Sequence, residues 1–188
     1  MKLYLIRHGM TDANEKRLYC GQTDVPLNAS GINSLSELKK TLNYPKADLY
    51  ISSDLTRAIE TMRILYDREP DVTYAEFREL DLGEFEMKSH DELKDLEVYQ
   101  RWIEATEAVT CPGGESKPEF DGRVLSGLGK LKELNIDSAV VICHGGVIVS
   151  IMEKMFPGQK NFYEWQPLHG RGYILEIYQG SAVLKGDI

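Results

Sequence analysis

Ser138-Ala139-Val140-Val141-Ile142-Cys143, running straight into His144-Gly145-Gly146, is the stretch on which the fold turns. A short, nearly unbroken apolar run has the form of a buried strand, and the apolar residues that follow predict a helix from Val147 to Met155. Leu3 to Ile6 is a second such run, closed by Arg7-His8-Gly9. Ala47 to Ile51 is a third, closed by Ser52-Ser53-Asp54, a loop with the residue types of a helix N-cap. A helix from Leu55 to about Tyr66 follows, carrying Ile59, Met62 and Leu65.

Between these landmarks the chain alternates. Met10 to Asn28 is polar and irregular, with Gly21 and Pro26 as breakers. Ser30 to Leu42 predicts a helix with Ile32, Leu35, Leu38 and Leu42 on one face. Val72 to Ala75 reads as a strand. Ser89 to Ala108 reads as charged and mostly helical, ended by Cys111-Pro112-Gly113-Gly114, and a long helix runs from Lys117 to Leu134. Tyr173–Tyr178 and Ala182–Leu184 read as a closing hairpin around Gln179-Gly180. Strands alternating with helices imply an α/β fold: a three-layer α/β/α sandwich on a mostly parallel, doubly wound sheet. In such sheets ligands bind beyond the carboxyl ends of the strands. Arg7-His8-Gly9, Ser52-Ser53-Asp54 and His144-Gly145-Gly146 all sit at predicted strand ends, so the fold gathers them on one edge.

Composition narrows the classes. The 188 residues fit one domain, 1–188, with a lid-like insertion at about 84–120. Hydrophobic residues make up 42% and charged residues 28%, an ordinary globular balance that argues against disorder. The net charge of −8 and the absence of a basic stripe argue against nucleic acid as a partner. No apolar run reaches the roughly 20 residues needed to span a bilayer. Cys20, Cys111 and Cys143 are odd in number and widely spaced, which argues against a disulfide framework or a zinc site. With no leader-like segment at Met1, a reducing cytoplasm is the expected location. Whether the chain is a monomer or a homodimer is not legible, although the closing hairpin offers an edge.

An acidic chain that binds a small anion must gather its cations locally. Arg7 and His8 follow the first strand, Arg57 lies in the first turns of the helix after Ser52-Ser53-Asp54, and His144 follows the strand from Ser138. Gly145 and Gly146 let a backbone come close to a ligand, and the helix starting there can aim N–H groups at an anion. Phosphoryl transfer through histidine needs a neutral imidazole in line with the leaving oxygen, fixed donors for the three equatorial oxygens, and an acid that later serves as base. Arg suits the second task because its planar fork donates two parallel hydrogen bonds.

Taken together, these residues resemble the histidine phosphatase superfamily, in its phosphoglycerate mutase-like branch. Leu5-Ile6-Arg7-His8-Gly9 resembles the family's signature, and Asn14 with Tyr19-Cys20-Gly21 its phosphate-loop continuation. Ser52-Ser53-Asp54-Leu55-Thr56-Arg57-Ala58, with Thr61, is similar to the second arginine motif. Phe77-Arg78-Glu79-Leu80-Asp81-Leu82-Gly83-Glu84 is similar to the acid/base segment, and Val140 to Gly146 to the second histidine motif. The resemblance implies that His8 is phosphorylated, that Arg7, Asn14, Arg57 and His144 hold the phosphoryl oxygens, and that Glu79 is proton donor and then base, with Asp81 its rival. It implies no metal and no cofactor, and a small phosphorylated metabolite as partner. Cys20, Gly21 and Gly145 are candidate substrate contacts. His8 must be neutral to attack, and the surrounding cations lower its pKa.

Some positions depart from the family pattern. Met10 and Cys20 replace frequent polar residues, Cys143 stands where Thr or Ser is frequent, and Glu84-Phe85-Glu86-Met87-Lys88 lacks the common Trp-Glu-Gly ending. His90 and His169 match no catalytic motif. His90 reads as solvent-facing; His169, in Pro167-Leu168-His169-Gly170-Arg171-Gly172, is within reach of the pocket rim but reads first as part of a structural loop. Tyr99 and Trp102 read equally as lid aromatics or as core. Pro112-Gly113-Gly114-Glu115-Ser116, with Phe120 and Arg123-Val124, resembles a stretch of the short phosphatases, in particular the α-ribazole phosphatase group of cobalamin synthesis. The expected activity is thus a metal-independent phosphomonoesterase, with α-ribazole 5'-phosphate a candidate substrate. A phosphoglycerate mutase is the alternative, disfavoured by the short stretch between Glu79 and His144, and a non-catalytic phosphate-binding module is a lesser one, since both His8 and Glu79 are present.

Overall fold

Six strands form one sheet in the computed structural model, which describes residues 1–105, 108–178 and 181–188. They are β1 (Lys2–Arg7), β2 (Leu49–Ser52), β3 (Val72–Thr73), β4 (Ser138–Cys143), β5 (Gly172–Tyr178) and β6 (Ser181–Asp187), in the order β3-β2-β4-β1-β5-β6. The first four run parallel, whereas β5 and β6 are antiparallel to their neighbours, so the sheet is mixed. Register sets β1 beside β4 along its whole length, from Lys2 against Ser138 to Arg7 against Cys143. The two sequence stretches with a histidine after their last residue are therefore neighbours at the centre of the sheet.

Helices cover both faces. They are α1 (Asp12–Glu15), α2 (Ala29–Thr41), α3 (Thr56–Tyr66), α4 (His90–Leu93), α5 (Glu97–Glu104), α6 (Lys117–Glu133), α7 (Gly145–Met155) and α8 (Phe162–Trp165). Strand side chains alternate between faces, and β1 shows the consequence. Leu3 and Leu5 enter one core with Phe120, Val124, Leu128 and Leu131 of α6 and with the buried residues of α7. Tyr4 and Ile6 enter the other with Leu35 of α2 and Ala58, Met62 and Leu65 of α3. Three layers result from one alternating strand between two helical stripes.

Local chemistry shifts several boundaries. Asp54 does not cap α3: the N-cap is Leu55, with no side-chain bond of its own. Arg78 offers Asp54 a two-point charged bond, at 2.8 and 2.6 Å, which outcompetes a backbone N–H. Asp24 takes over the cap from 32 residues away, accepting from Thr56 N at 2.8 Å and Thr56 Oγ1 at 2.7 Å. The stretch after Met10 is not wholly irregular, because Thr11 and Asn14 form a capping box for α1. Strand β3 has only two residues, since a 3-10 turn begins at Ala75. Ile32 is 43% exposed, so the buried face of α2 is narrower than its apolar spacing suggests. The closing turn at 179–180 and part of the charged segment, 106–107, lie outside the described residues.

Residues 84–120 carry α4, α5 and the start of α6. Leu82, Phe85, Leu93, Tyr99 and Cys111 form a separate apolar cluster there, with Tyr19 and Trp102 packed against it. Tyr99 is fully buried and its hydroxyl is 2.7 Å from both Tyr19 Oη and His90 Nδ1, so Tyr99 belongs to the core of this segment. Among the described residues no helix is long and apolar enough to cross a membrane.

Candidate active site

His8 stands one residue past β1, with 5% of its surface exposed. Its backbone N–H donates to Cys143 O at 2.9 Å, which ties it to the end of β4. Its ring Nδ1 lies 2.6 Å from Gly9 O. A carbonyl only accepts, so Nδ1 carries the proton and Nε2 keeps a lone pair. The His144 ring centroid is 5.0 Å away. His144 is the N-cap of α7, is fully buried, and neither of its ring nitrogens has a partner among the described residues.

Two arginines complete this cradle. Arg57, the second residue of α3, is 1% exposed, and its Nη1 and Nη2 donate to Thr23 O at 2.9 Å and Gly21 O at 2.6 Å. Arg7 Nη1 donates to Pro167 O at 2.9 Å, while its buried Nε has no partner among the described residues. Five buried polar side-chain atoms lack a hydrogen bond among the described residues, and three of them are Arg7 Nε and the two nitrogens of His144. Each such atom costs about 1–3 kcal/mol of desolvation. Arg7 Nε and one nitrogen of the neutral His144 ring are donors, so this cluster at the carboxyl edge of the sheet marks a place built to receive acceptors, as an anion's oxygens are.

Burial is the largest influence on the imidazoles. It holds His8 well below its ordinary 6.5, with His144, Arg57, His169 and Arg7 adding repulsion in that order. Desolvation likewise depresses His144 well below 6.5, followed by Arg57, Arg7 and Arg123. The sequence points to cations alone as the reason for a neutral His8; the low-dielectric setting contributes more.

Glu79 faces this cradle from the segment after β3. Its Oε2 accepts from Gly146 N at 2.9 Å and its Oε1 from Leu80 N at 2.9 Å. Arg123 holds the segment, donating from Nη1 to Glu76 O at 3.0 Å and Arg78 O at 2.9 Å, and from Nη2 to Glu79 O at 3.1 Å. Glu115 seats Arg123 through Nε at 2.8 Å and Nη2 at 2.7 Å. Asp81, the rival acid, accepts from Gly83 N at 2.9 Å and closes its own turn.

The remaining sequence candidates divide. Gly145, the first residue of α7, packs so that a Cβ would lie 2.7 Å from Gln166 Nε2. Gly21 contributes its carbonyl to Arg57 and leaves no room for a Cβ, which would sit 1.9 Å from Leu80 O. Cys20 Sγ is 3.8 Å from Thr23 O, and burial pushes its thiol up, which removes it as a nucleophile. Asn14 commits its Oδ1 to Thr11 N at 3.1 Å and Thr11 Oγ1 at 2.9 Å, leaving its amide nitrogen for any ligand. His90 pairs with Tyr99, away from this cluster.

Two parts of the site belong to no catalytic motif in the sequence. Glu86 is an internal staple: its carboxylate accepts from the N–H groups of Gly21, Gln22, Thr23 and Leu82 and from Thr23 Oγ1. It thereby fixes the loop on which Arg57 rests. The other part is the segment before β5, where Pro167 O seats Arg7, Gly170 N donates to Arg7 O at 2.9 Å, and His169 Nδ1 reaches His8 O at 2.9 Å. A lone glutamate in an acidic run and a proline-flanked loop have no periodicity to give them away.

Among the described residues there is no group of three or more His, Cys, Asp or Glu side chains that could hold a metal ion. A buried imidazole with Nδ1 committed to a carbonyl, two buried guanidiniums, a second imidazole and a carboxylate at one sheet edge are the groups of a phosphoryl-transfer class of protein. The chain belongs to the histidine phosphatase superfamily (branch 1), whose family model it matches over residues 3–186. It is 34% identical over 192 residues to the adenosylcobalamin/alpha-ribazole phosphatase of Escherichia coli (strain K12), covering 98% of this chain and 94% of that protein. The alpha-ribazole phosphatase structure from Shigella flexneri superposes with a TM-score of 0.88 at 30% identity, over 98% of this chain and 95% of that one. The phosphoglycerate mutase structure from Thermus thermophilus gives a TM-score of 0.76 at 29% identity, over 97% of this chain and 96% of that one. That chain is matched almost end to end, so length alone does not separate the two activities.

Proposed function

We propose that this protein is a phosphomonoesterase that transfers the phosphoryl group of a small phosphorylated metabolite to His8 Nε2 and then to water. One observation carries the reading. His8 has Nδ1 committed to Gly9 O and Nε2 free, within a buried set of donors that lack protein acceptors. Nε2 attacks phosphorus in line with the ester oxygen, and the P–O bond breaks as the P–N bond forms. Arg7, Arg57, His144 and the Asn14 amide bind the three equatorial oxygens, where fixed donors stabilise developing charge. Glu79 gives its proton to the departing alkoxide and recovers one from the water that then attacks phosphohistidine.

The relatives support α-ribazole 5'-phosphate as the substrate, because those with the alpha-ribazole phosphatase name match this chain over 98% of its length. Three unpaired cysteines suit a reducing, cytoplasmic setting. The test is a panel of phosphomonoesters, including α-ribazole 5'-phosphate and 3-phosphoglycerate, scored by kcat/KM with and without chelator. We expect release of inorganic phosphate, highest for α-ribazole 5'-phosphate, unchanged by chelation and abolished in His8→Ala. Conversion of 3-phosphoglycerate to 2-phosphoglycerate without phosphate release would establish the mutase reading instead, which the Thermus relative favours. Binding of phosphate with no turnover of any ester would establish a non-catalytic module.

A further inference from the structure

We propose that His169 is a positioning residue of this site, one that fixes the peptide group joining the nucleophile to Gly9. The inference rests on the phosphohistidine reading above. His169 Nδ1 lies 2.9 Å from His8 O, and since that carbonyl only accepts, Nδ1–H is the donor. The ring centroid of His169 is 5.4 Å from that of His8. His8 lies just past both ladders: pairing with β5 ends at Ile6 and pairing with β4 at Arg7. Its N–H is taken by Cys143 O, but among the described residues no strand reaches its carbonyl.

The next atom along explains why that carbonyl matters. Gly9 N, in the same peptide group as His8 O, donates to Thr61 Oγ1 at 2.9 Å. One peptide plane is therefore pinned at its oxygen by His169 and at its nitrogen by Thr61. Glycine leaves the following dihedrals permissive, so such a plane needs outside restraint. Gly9 O, beyond it, is the acceptor that orients the His8 ring. A rotation of the pinned plane would carry that acceptor with it and swing Nε2 off the in-line path. The loop holding His169 is tied down in turn, because Gly170 N donates to Arg7 O and Gly170 O accepts from Tyr44 Oη at 2.7 Å.

Side-chain length separates this role from a contact between His169 Nε2 and the ligand. Asparagine places an amide N–H at the position of Nδ1, whereas glutamine places it at that of Nε2. With p-nitrophenyl phosphate, His169→Ala is expected to lower kcat and the single-turnover rate of phosphohistidine formation about 10–100-fold, with KM within about 3-fold, as suits a displaced nucleophile. His169→Asn restores both rates to within about 3-fold of the parent, and His169→Gln does not. Thr61→Val, which frees the other end of the same plane, produces a similar loss, and the double variant His169→Ala/Thr61→Val falls well short of the product of the two. The proposal is overturned if Gln restores activity better than Asn, if both or neither restore it, or if only KM moves. A parent enzyme that hydrolyses no phosphomonoester, or an active His8→Ala variant, would refute the phosphohistidine reading instead.

Discussion

The backbone N–H of Gly146 donates to the carboxylate of Glu79 at 2.9 Å, joining the acid segment to the first turn of the helix that follows His144. The N-terminal end of a helix favours a negative group, and here that group is a side chain of the protein. A Cβ on Gly146 would lie 2.3 Å from Glu79 Oε1, the far end of a flexible side chain. Gly146→Ala is therefore expected to fold with a urea midpoint close to that of the parent, while kcat falls about 10–100-fold through displacement of the carboxylate.

Glu79→Gln separates proton donation from the other contributions. With an alkyl phosphate, whose leaving oxygen needs a proton, kcat should fall about 10²–10⁴-fold. With p-nitrophenyl phosphate, whose leaving group departs as a stable anion, the loss of the phosphorylation step in a single-turnover experiment should be much smaller. Equal losses on the two esters would remove Glu79 from that role.

Glu86→Gln should raise KM and lower stability together. The carboxylate satisfies donors on both Gly21–Thr23 and Leu82, and an amide would put its own NH₂ against some of them. Leaving such donors unpaired costs about 1–3 kcal/mol. Arg57 rests on the carbonyls of Gly21 and Thr23, so loosening that loop unseats the guanidinium proposed to bind the phosphoryl group. Urea titration and kcat/KM measured on one preparation check both effects.

Acidification should destabilise the protein through its buried imidazoles. His8, His144 and His169 are all held below 6.5 in the folded chain, His169 at about 4. Below 6.5 the unfolded chain binds protons that the folded chain refuses. The stability they confer is complete above pH 6.5 and drains as pH falls, for His169 until about 4. Each group removes at most about 1.4 kcal/mol per pH unit in its window. Urea unfolding at about pH 7 and about pH 5 measures the slope, and His169→Asn should flatten it by one proton's worth.

Met87 occupies the left-handed region, with φ of 59°, where a side chain is strained and glycine is not. It stands where the family pattern commonly ends in glycine. Its side chain is 37% exposed, and its N–H donates to Tyr19 O at 2.6 Å, a bond that glycine keeps. Met87→Gly should raise stability by about 0.5–1 kcal/mol with kcat unchanged.

The parts of the fold that can be read in the sequence share one property: their signal is repeated along a short stretch. The apolar run of β4, from Ala139 to Ile142, has that property, as does the spacing of Phe120, Val124, Leu128 and Leu131 on α6. His8, Arg57, Glu79 and His144 are legible as motifs, and the fold brings them to one edge. Asp24, Glu86 and His169 are not, because each acts mainly through polar contacts far along the chain, 32 positions away for Thr56, 64 for Gln22 and 161 for His8. Asp54 misleads for the same reason. A lone acidic residue before a helix has the form of a cap until Arg78, 24 residues on, is seen to claim it.

Strand β5 runs against β1, pairing Gly172 with Ile6 and Glu176 with Lys2. Its beginning, not its end, therefore opens on the edge where His8 lies. A chain cut just before Gln166 would still spell every motif by which such enzymes are recognised. It would lack the seat of Arg7 and one of the two hydrogen bonds on the His8–Gly9 peptide. Such a fragment would pass for the enzyme in any inventory of residues and fail at the bench, because it lacks two strands of the sheet and, with them, a motif-free stretch of loop that walls the edge where His8 lies.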